Sequence, residues 1–186
     1  FPEGENDAAV WKHFQELIES NEVAAFVYEP IAQGASGMRF YDKTLLGRMI
    51  SLAQSHEVIC IADEVMTGFG RTGKLFASDH LNTNPDIICL SKGLTGGALA
   101  MGLTACTDKI QEAYRSNDLM KTFFHGHSFT GNPMTCAVAN ASLDLLLSDE
   151  CRSNRQRLQQ RHLAFKEKIE NHKLVRNPRV LGTIIA

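Results

Sequence analysis

No Cys-x-x-Cys pair occurs in this 186-residue sequence, and its five cysteines (Cys60, Cys89, Cys106, Cys136, Cys151) are odd in number and widely spaced. That pattern excludes a disulfide framework and a thiolate metal knuckle. It suits small core hydrophobes in a reducing compartment, with the cytoplasm as the expected location. No apolar run approaches the roughly 18–20 residues of a membrane helix, and no N-terminal segment has the order of a signal peptide, so no membrane partner is expected. Charge of one sign is lacking too: 19 Lys and Arg face 21 Asp and Glu, a formal net charge of −2. A basic nucleic-acid binder is thereby excluded. His125 and His127 form a His-x-His pair without a Cys or carboxylate at ligand spacing, so no metal is expected.

What is present has ordinary globular composition, 44% hydrophobic and 22% charged, at the length of one domain with a real core. Helical spacing of apolar residues marks 8–20, 45–55, 108–116, 134–147 and 149–171. Short β-prone runs mark 23–28, 58–62, 87–90 and 101–107, and another strand starts at Val180. Residues 74–80 are expected to form a short helix or turn. Strands alternating with helices predict an α/β layered domain on a mainly parallel sheet, in which ligands sit beyond the carboxyl ends of the strands. Glu29, Asp63 and Lys92 all fall at or near such ends. The sequence begins without Met and stops inside an apolar run, so more of the protein is expected beyond it.

Lys92 follows Ile87-Ile88-Cys89-Leu90-Ser91 and precedes Gly93-Leu94-Thr95-Gly96-Gly97. It is either an ordinary surface lysine or one whose amine is desolvated enough to be the nucleophile of Schiff-base chemistry. Asp63 follows Val58-Ile59-Cys60-Ile61-Ala62 and either caps the next turn or holds a cation, such as a protonated pyridine nitrogen. Glu64 alternates to the other face and reads as structural. The loop with His125, His127, Ser128, Thr130, Gly131 and Asn132 suits an anion, because hydroxyls beside exposed backbone N–H groups make a phosphate site. The glycines of 68–73 are not read as a nucleotide loop, and the charged face of 152–168 reads as solvated.

Four ordered motifs carry a resemblance: 27–39 (Val-Tyr-Glu-Pro-Ile-Ala-Gln-Gly-Ala-Ser-Gly-Met-Arg), 61–73 (Ile-Ala-Asp-Glu-Val-Met-Thr-Gly-Phe-Gly-Arg-Thr-Gly), 91–97 (Ser-Lys-Gly-Leu-Thr-Gly-Gly) and 124–133 (Phe-His-Gly-His-Ser-Phe-Thr-Gly-Asn-Pro). Together with Arg179-Val180-Leu181-Gly182 they resemble class III, fold-type I pyridoxal-phosphate aminotransferases over essentially the whole chain. The resemblance implies a three-layer large domain, residues 1–147, followed by a connecting helix and first strand of a small C-terminal α+β domain, residues 148–186. It makes Lys92 the lysine that holds pyridoxal 5'-phosphate as a Schiff base and moves the proton, and Asp63 the partner of the ring nitrogen. It further implies a homodimer with a shared site, in which Ser128, with His127 beside it, reaches the phosphate bound mainly by the partner subunit. Glu29 takes a supporting place near the cofactor.

Two departures narrow the branch. Met66 stands where many class III enzymes have glutamine, and Gly34-Ala35-Ser36 lacks the gating glutamate common among enzymes for ornithine or 4-aminobutyrate. Both favour the branch of biotin synthesis that aminates 8-amino-7-oxononanoate to 7,8-diaminononanoate, with S-adenosylmethionine, or alternatively lysine or another amine, as donor. A non-catalytic dimerisation or ligand-binding module is the rival of a different class. By the same resemblance the second phosphate loop, the ring-stacking aromatic and the arginine for the substrate carboxylate lie outside these residues, and the 186-residue segment alone is expected to be inactive.

Overall fold

The structure is a computed structural model that describes residues 7–186. Helix α1 (Asp7–Glu19) leads to strand β1 (Ala25–Tyr28), a small antiparallel pair β2 (Ala32–Gln33) and β3 (Arg39–Phe40), and helix α2 (Lys43–Ser55). Then come β4 (Ile59–Asp63), a single 3-10 turn at Ala77–His80, β5 (Ile87–Leu90), a second such turn at Lys92–Thr95, and β6 (Leu103–Cys106). Helices α3 (Asp108–Glu112), α4 (Pro133–Leu147) and α5 (Asp149–Ile169) follow, and a hairpin of β7 (Val180–Leu181) and β8 (Ile184–Ile185) ends the chain.

The main sheet has the order β1-β4-β5-β6. The first three strands are parallel and β6 is antiparallel to β5. Alternation decides its two faces. Tyr28, Cys60 and Ala62 pack with Phe14 and Ile18 of α1 and with Leu46, Met49 and Ile50 of α2, and this is the core. The opposite face carries Val27, 62% exposed, and then Ile61 and Asp63. Helix α2 starts where Asp42 accepts a hydrogen bond from the Leu45 amide at 2.8 Å, the N-cap its sequence calls for.

The expected elements recur with three differences. Helix α3 stops at Glu112 instead of reaching Ser116. It buries no residue, and short helices hold together mainly through packing. Residues 180–186 form a hairpin instead of one strand, because Gly182 takes left-handed backbone at φ 57°. The small-residue loop after Pro30 contains the paired β2 and β3, in register Ala32 to Phe40. Arg179 fastens the hairpin to that loop, donating to the carbonyls of Met38 (3.1 Å) and Gly37 (2.9 Å).

Candidate active site

Strand β4 ends in two carboxylates that point to opposite faces. Asp63 is half-buried, and its Oδ1 accepts the Val65 N–H at 3.0 Å, so it does cap the following turn. Its Oδ2 has no hydrogen-bond partner among the described residues. Glu64 is fully buried: one oxygen accepts the Thr67 hydroxyl (2.6 Å) and the Ala77 N–H (2.9 Å), the other the Ser78 N–H (2.7 Å). The structural reading of Glu64 therefore holds, with the addition that it closes the whole 64–78 turn on itself.

Asp63 stands in register with Cys89 of β5, three residues before Lys92. Lys92 opens the turn Lys92–Thr95 with left-handed backbone, φ 45°, and its side chain is exposed. Its amine makes no ion pair or hydrogen bond among the described residues. An unpaired carboxylate oxygen and an unpaired amine thus lie at the carboxyl ends of neighbouring parallel strands, where an α/β sheet takes its ligands. The pair suits a group with a basic ring nitrogen and an aldehyde.

The 125–132 loop stands over β5 and β6 and encloses with them a cavity of about 920 Å³. Val65, Cys89, Ser91 and His127 line it, while Lys92, Asp63 and Ser128 do not. Within the loop the polar groups divide. Asn132 caps α4, accepting from the Met134 (3.0 Å) and Thr135 (3.3 Å) amides. Thr130 Oγ1 accepts the His127 N–H (2.9 Å), and His127 Nδ1 accepts the Phe129 N–H (3.1 Å). The exposed Ser128 hydroxyl has no partner among the described residues. Those residues contain no group of three His, Cys, Asp or Glu that could hold a metal ion.

Glu29, at the end of β1, is half-buried and staples the next loop, its Oε2 accepting the Gly34 N–H at 2.8 Å. Met66 lies against Gly34, where an added Cβ would stand 3.1 Å from the Met66 methyl. Burial raises the Tyr41 phenol above its ordinary range, with the Glu29 and then the Glu64 carboxylate adding to the shift. Residues 68–73 do have the spacing Gly-x-Gly-x-x-Gly, yet only the 3-10 turn Ala77–His80 follows. No helix N-terminus faces the glycines, so the dinucleotide reading fails on context. The sequence did not reveal the approach of Phe69 to Gly93 or of Gly182 to the 71–73 backbone. Glycines beside a motif lysine and inside an apolar run were the available signal.

The same architecture occurs in solved aminotransferases. A Bacillus anthracis aminotransferase matches 98% of this chain, over 41% of its own length, with a TM-score of 0.86 and 29% identity. The model of the family "Aminotransferase class-III" matches residues 2–186, and the chain belongs to that family. Pyridoxal phosphate is the cofactor the family implies, and the donor set at Asp63 and Lys92 fits it.

Among curated relatives, the adenosylmethionine-8-amino-7-oxononanoate aminotransferase of Synechococcus elongatus is 43% identical over 180 residues. Those residues make up 97% of this chain and 42% of the relative. The enzyme of that name from Geobacter sulfurreducens is 47% identical over 138 residues, 73% of this chain and 30% of its own. The chain thus spans less than half the length of the curated relatives it matches. No helix among its described residues is long and apolar enough to cross a membrane.

Proposed function

We propose that this chain carries the lysine-bearing half of an aminotransferase site that converts 8-amino-7-oxononanoate to 7,8-diaminononanoate in biotin synthesis, in the cytoplasm. The carrying observation is an Asp63 Oδ2 and a Lys92 amine, both without a partner among the described residues, at the carboxyl ends of adjacent strands, in a chain 43% identical to an enzyme of that name. When bound, pyridoxal phosphate supplies an electron sink for the charge left by loss of the substrate's Cα proton. Lys92 would hold the cofactor through its amine and, when free of it, would take the proton from the substrate's Cα. Asp63 would hold the ring nitrogen in its protonated form, its Oδ1 being committed to the turn. Glu29 supports the cofactor side by fixing the loop at Gly34, and Met66 covers that loop.

Ser128, with His127 next to it, serves the phosphate of a partner subunit's cofactor in a homodimer. Its hydroxyl is exposed and uncommitted, as a group reaching another subunit must be. Residues 1–147 belong to the large domain and 148–186 open the small one. S-adenosylmethionine is the proposed donor. The sequence His127-Ser128 favours a second reading in which lysine donates, and incubating the full-length protein with each donor while following 7,8-diaminononanoate separates the two. Borohydride reduction of the full-length holoenzyme should fix the cofactor to Lys92, and Lys92→Ala should abolish both fixation and turnover. Persistent turnover in that variant would refute the assignment, and a full-length protein that takes up no cofactor would favour a non-catalytic module.

A further inference from the structure

Two side-chain-bearing residues near the site hold left-handed backbone, Phe69 at φ 57° and Lys92 at φ 45°. Such backbone is unfavourable for any residue with a Cβ and persists only where the surroundings over-determine it. The two strained positions meet through Gly93. A Cβ added to Gly93 would lie 2.8 Å from Phe69 Cβ and 3.2 Å from two of its ring atoms, so the phenylalanine sits directly on the peptide that follows Lys92. Phe69 is itself fixed. Its ring packs edge-to-face on Phe76, with centroids 5.7 Å apart. The turn between them is closed by the Gly70 N–H on the Leu75 carbonyl (3.0 Å) and by the Glu64 carboxylate on the amides of Ala77 and Ser78. On the far side, Ser142 Oγ of α4 donates to the Gly93 carbonyl at 3.4 Å.

We propose that Phe69 is a positioning residue for Lys92: anchored by Phe76 and the Glu64-closed turn, its side chain presses on Gly93 and holds the lysine backbone in the left-handed form that delivers the amine to the cofactor. The proposal rests on the reading of Lys92 as the Schiff-base lysine. It explains why residue 93 has no side chain and why a bulky residue occupies a left-handed position at 69.

The test follows Schiff-base formation when pyridoxal phosphate is added to full-length apo protein, by absorbance and by borohydride peptide mapping, with thermal melting as the check on folding. Phe69→Gly suits the left-handed backbone, so the turn survives while the ring is lost. Formation is expected to slow by roughly ten- to a hundredfold, the scale of a misplaced reacting group. Phe69→Tyr, which keeps the ring, should restore most of the rate. Gly93→Ala should also slow formation, and the double variant Phe69→Gly/Gly93→Ala should be no slower than the worse single, because both act through one contact. A folded Phe69→Gly protein that forms the Schiff base at the wild-type rate overturns the proposal, as do additive effects in the double variant. If Phe69→Gly does not fold, Phe69→Leu takes its place with the same two outcomes. Wild-type protein that fixes no cofactor at Lys92 overturns the underlying catalytic reading as well, and only that result does.

Discussion

Replacing Glu64 by alanine removes a fully buried carboxylate and strands the Thr67 hydroxyl and the Ala77 and Ser78 amides that it accepts. A buried donor left without a partner costs about 1–3 kcal/mol. The hydroxyl can rotate toward another acceptor and Ser78 is only half-buried, so the two amides dominate. Removing the buried charge offsets part of the loss. The expected net cost is about 3 kcal/mol, a large share of the roughly 5–15 kcal/mol that holds a typical domain together. Native-state hydrogen exchange reads this locally: the Ala77 and Ser78 amides of the full-length protein should exchange about a hundredfold faster in Glu64→Ala. Glu64→Gln tests the chemistry apart from the shape. The site presents donors only, and an amide brings a second donor into it, so that variant should recover less than half of the protection. Unchanged exchange in Glu64→Ala, or full protection in Glu64→Gln, would refute the reasoning.

Asp63→Asn keeps an oxygen for the Val65 amide but loses the charge, so cofactor affinity in the full-length enzyme should change little while kcat falls at least about tenfold; equal kcat would count against the ring-nitrogen role. At Gly182, φ 57°, a Cβ would run into the Gly73 nitrogen and the Thr72 carbonyl carbon. Gly182→Ala should therefore cost more than about 3 kcal/mol by melting. Gly37, left-handed with nothing within 4 Å of an added Cβ, should cost only about 1–2 kcal/mol on the same change; similar losses at the two sites would show that contact does not matter. Burial, with the Asp86 carboxylate adding, pushes the Cys60 thiol up to about 12. Its thiolate fraction at pH 8 is then about one in ten thousand, so iodoacetamide at that pH should label the exposed Cys106 and spare Cys60 in the native protein. Equal labelling would contradict that burial.

The sheet and the two principal candidates were legible because periodicity and position carry them. Apolar runs that stop at Asp63 and at Lys92 announce two strand ends, and alternation alone sends Glu64 to the other face. The direction of β6 was not legible, since an apolar run reads the same in a parallel or an antiparallel strand. Nor were the partners of Glu64, two of which are backbone amides 13 and 14 residues away that any sequence would supply. The terminal hairpin was hidden because Gly182-Thr183 interrupts an otherwise continuous apolar run by only two residues. The commitment of Asn132 to helix α4 is visible in Asn-Pro, although an asparagine amide in such a loop suits an anion equally well on sequence alone. Separating capping from free side chains leaves Ser128 as the sharper candidate.

The contact between the C-terminal hairpin and the glycine turn has a consequence in time. The Thr183 amide donates to the Arg71 carbonyl across 112 residues of chain. A ribosome adding about 5–20 residues per second needs roughly 6–22 s to cover that interval. Strands β1 and β4 precede that interval and β5 is made early within it, so all three can pair before the hairpin exists, while the turn that leads to the lysine stays unlatched. This turn is therefore latched only after the sheet it adjoins, and the newborn chain passes through a stage in which the scaffold exists before the grip.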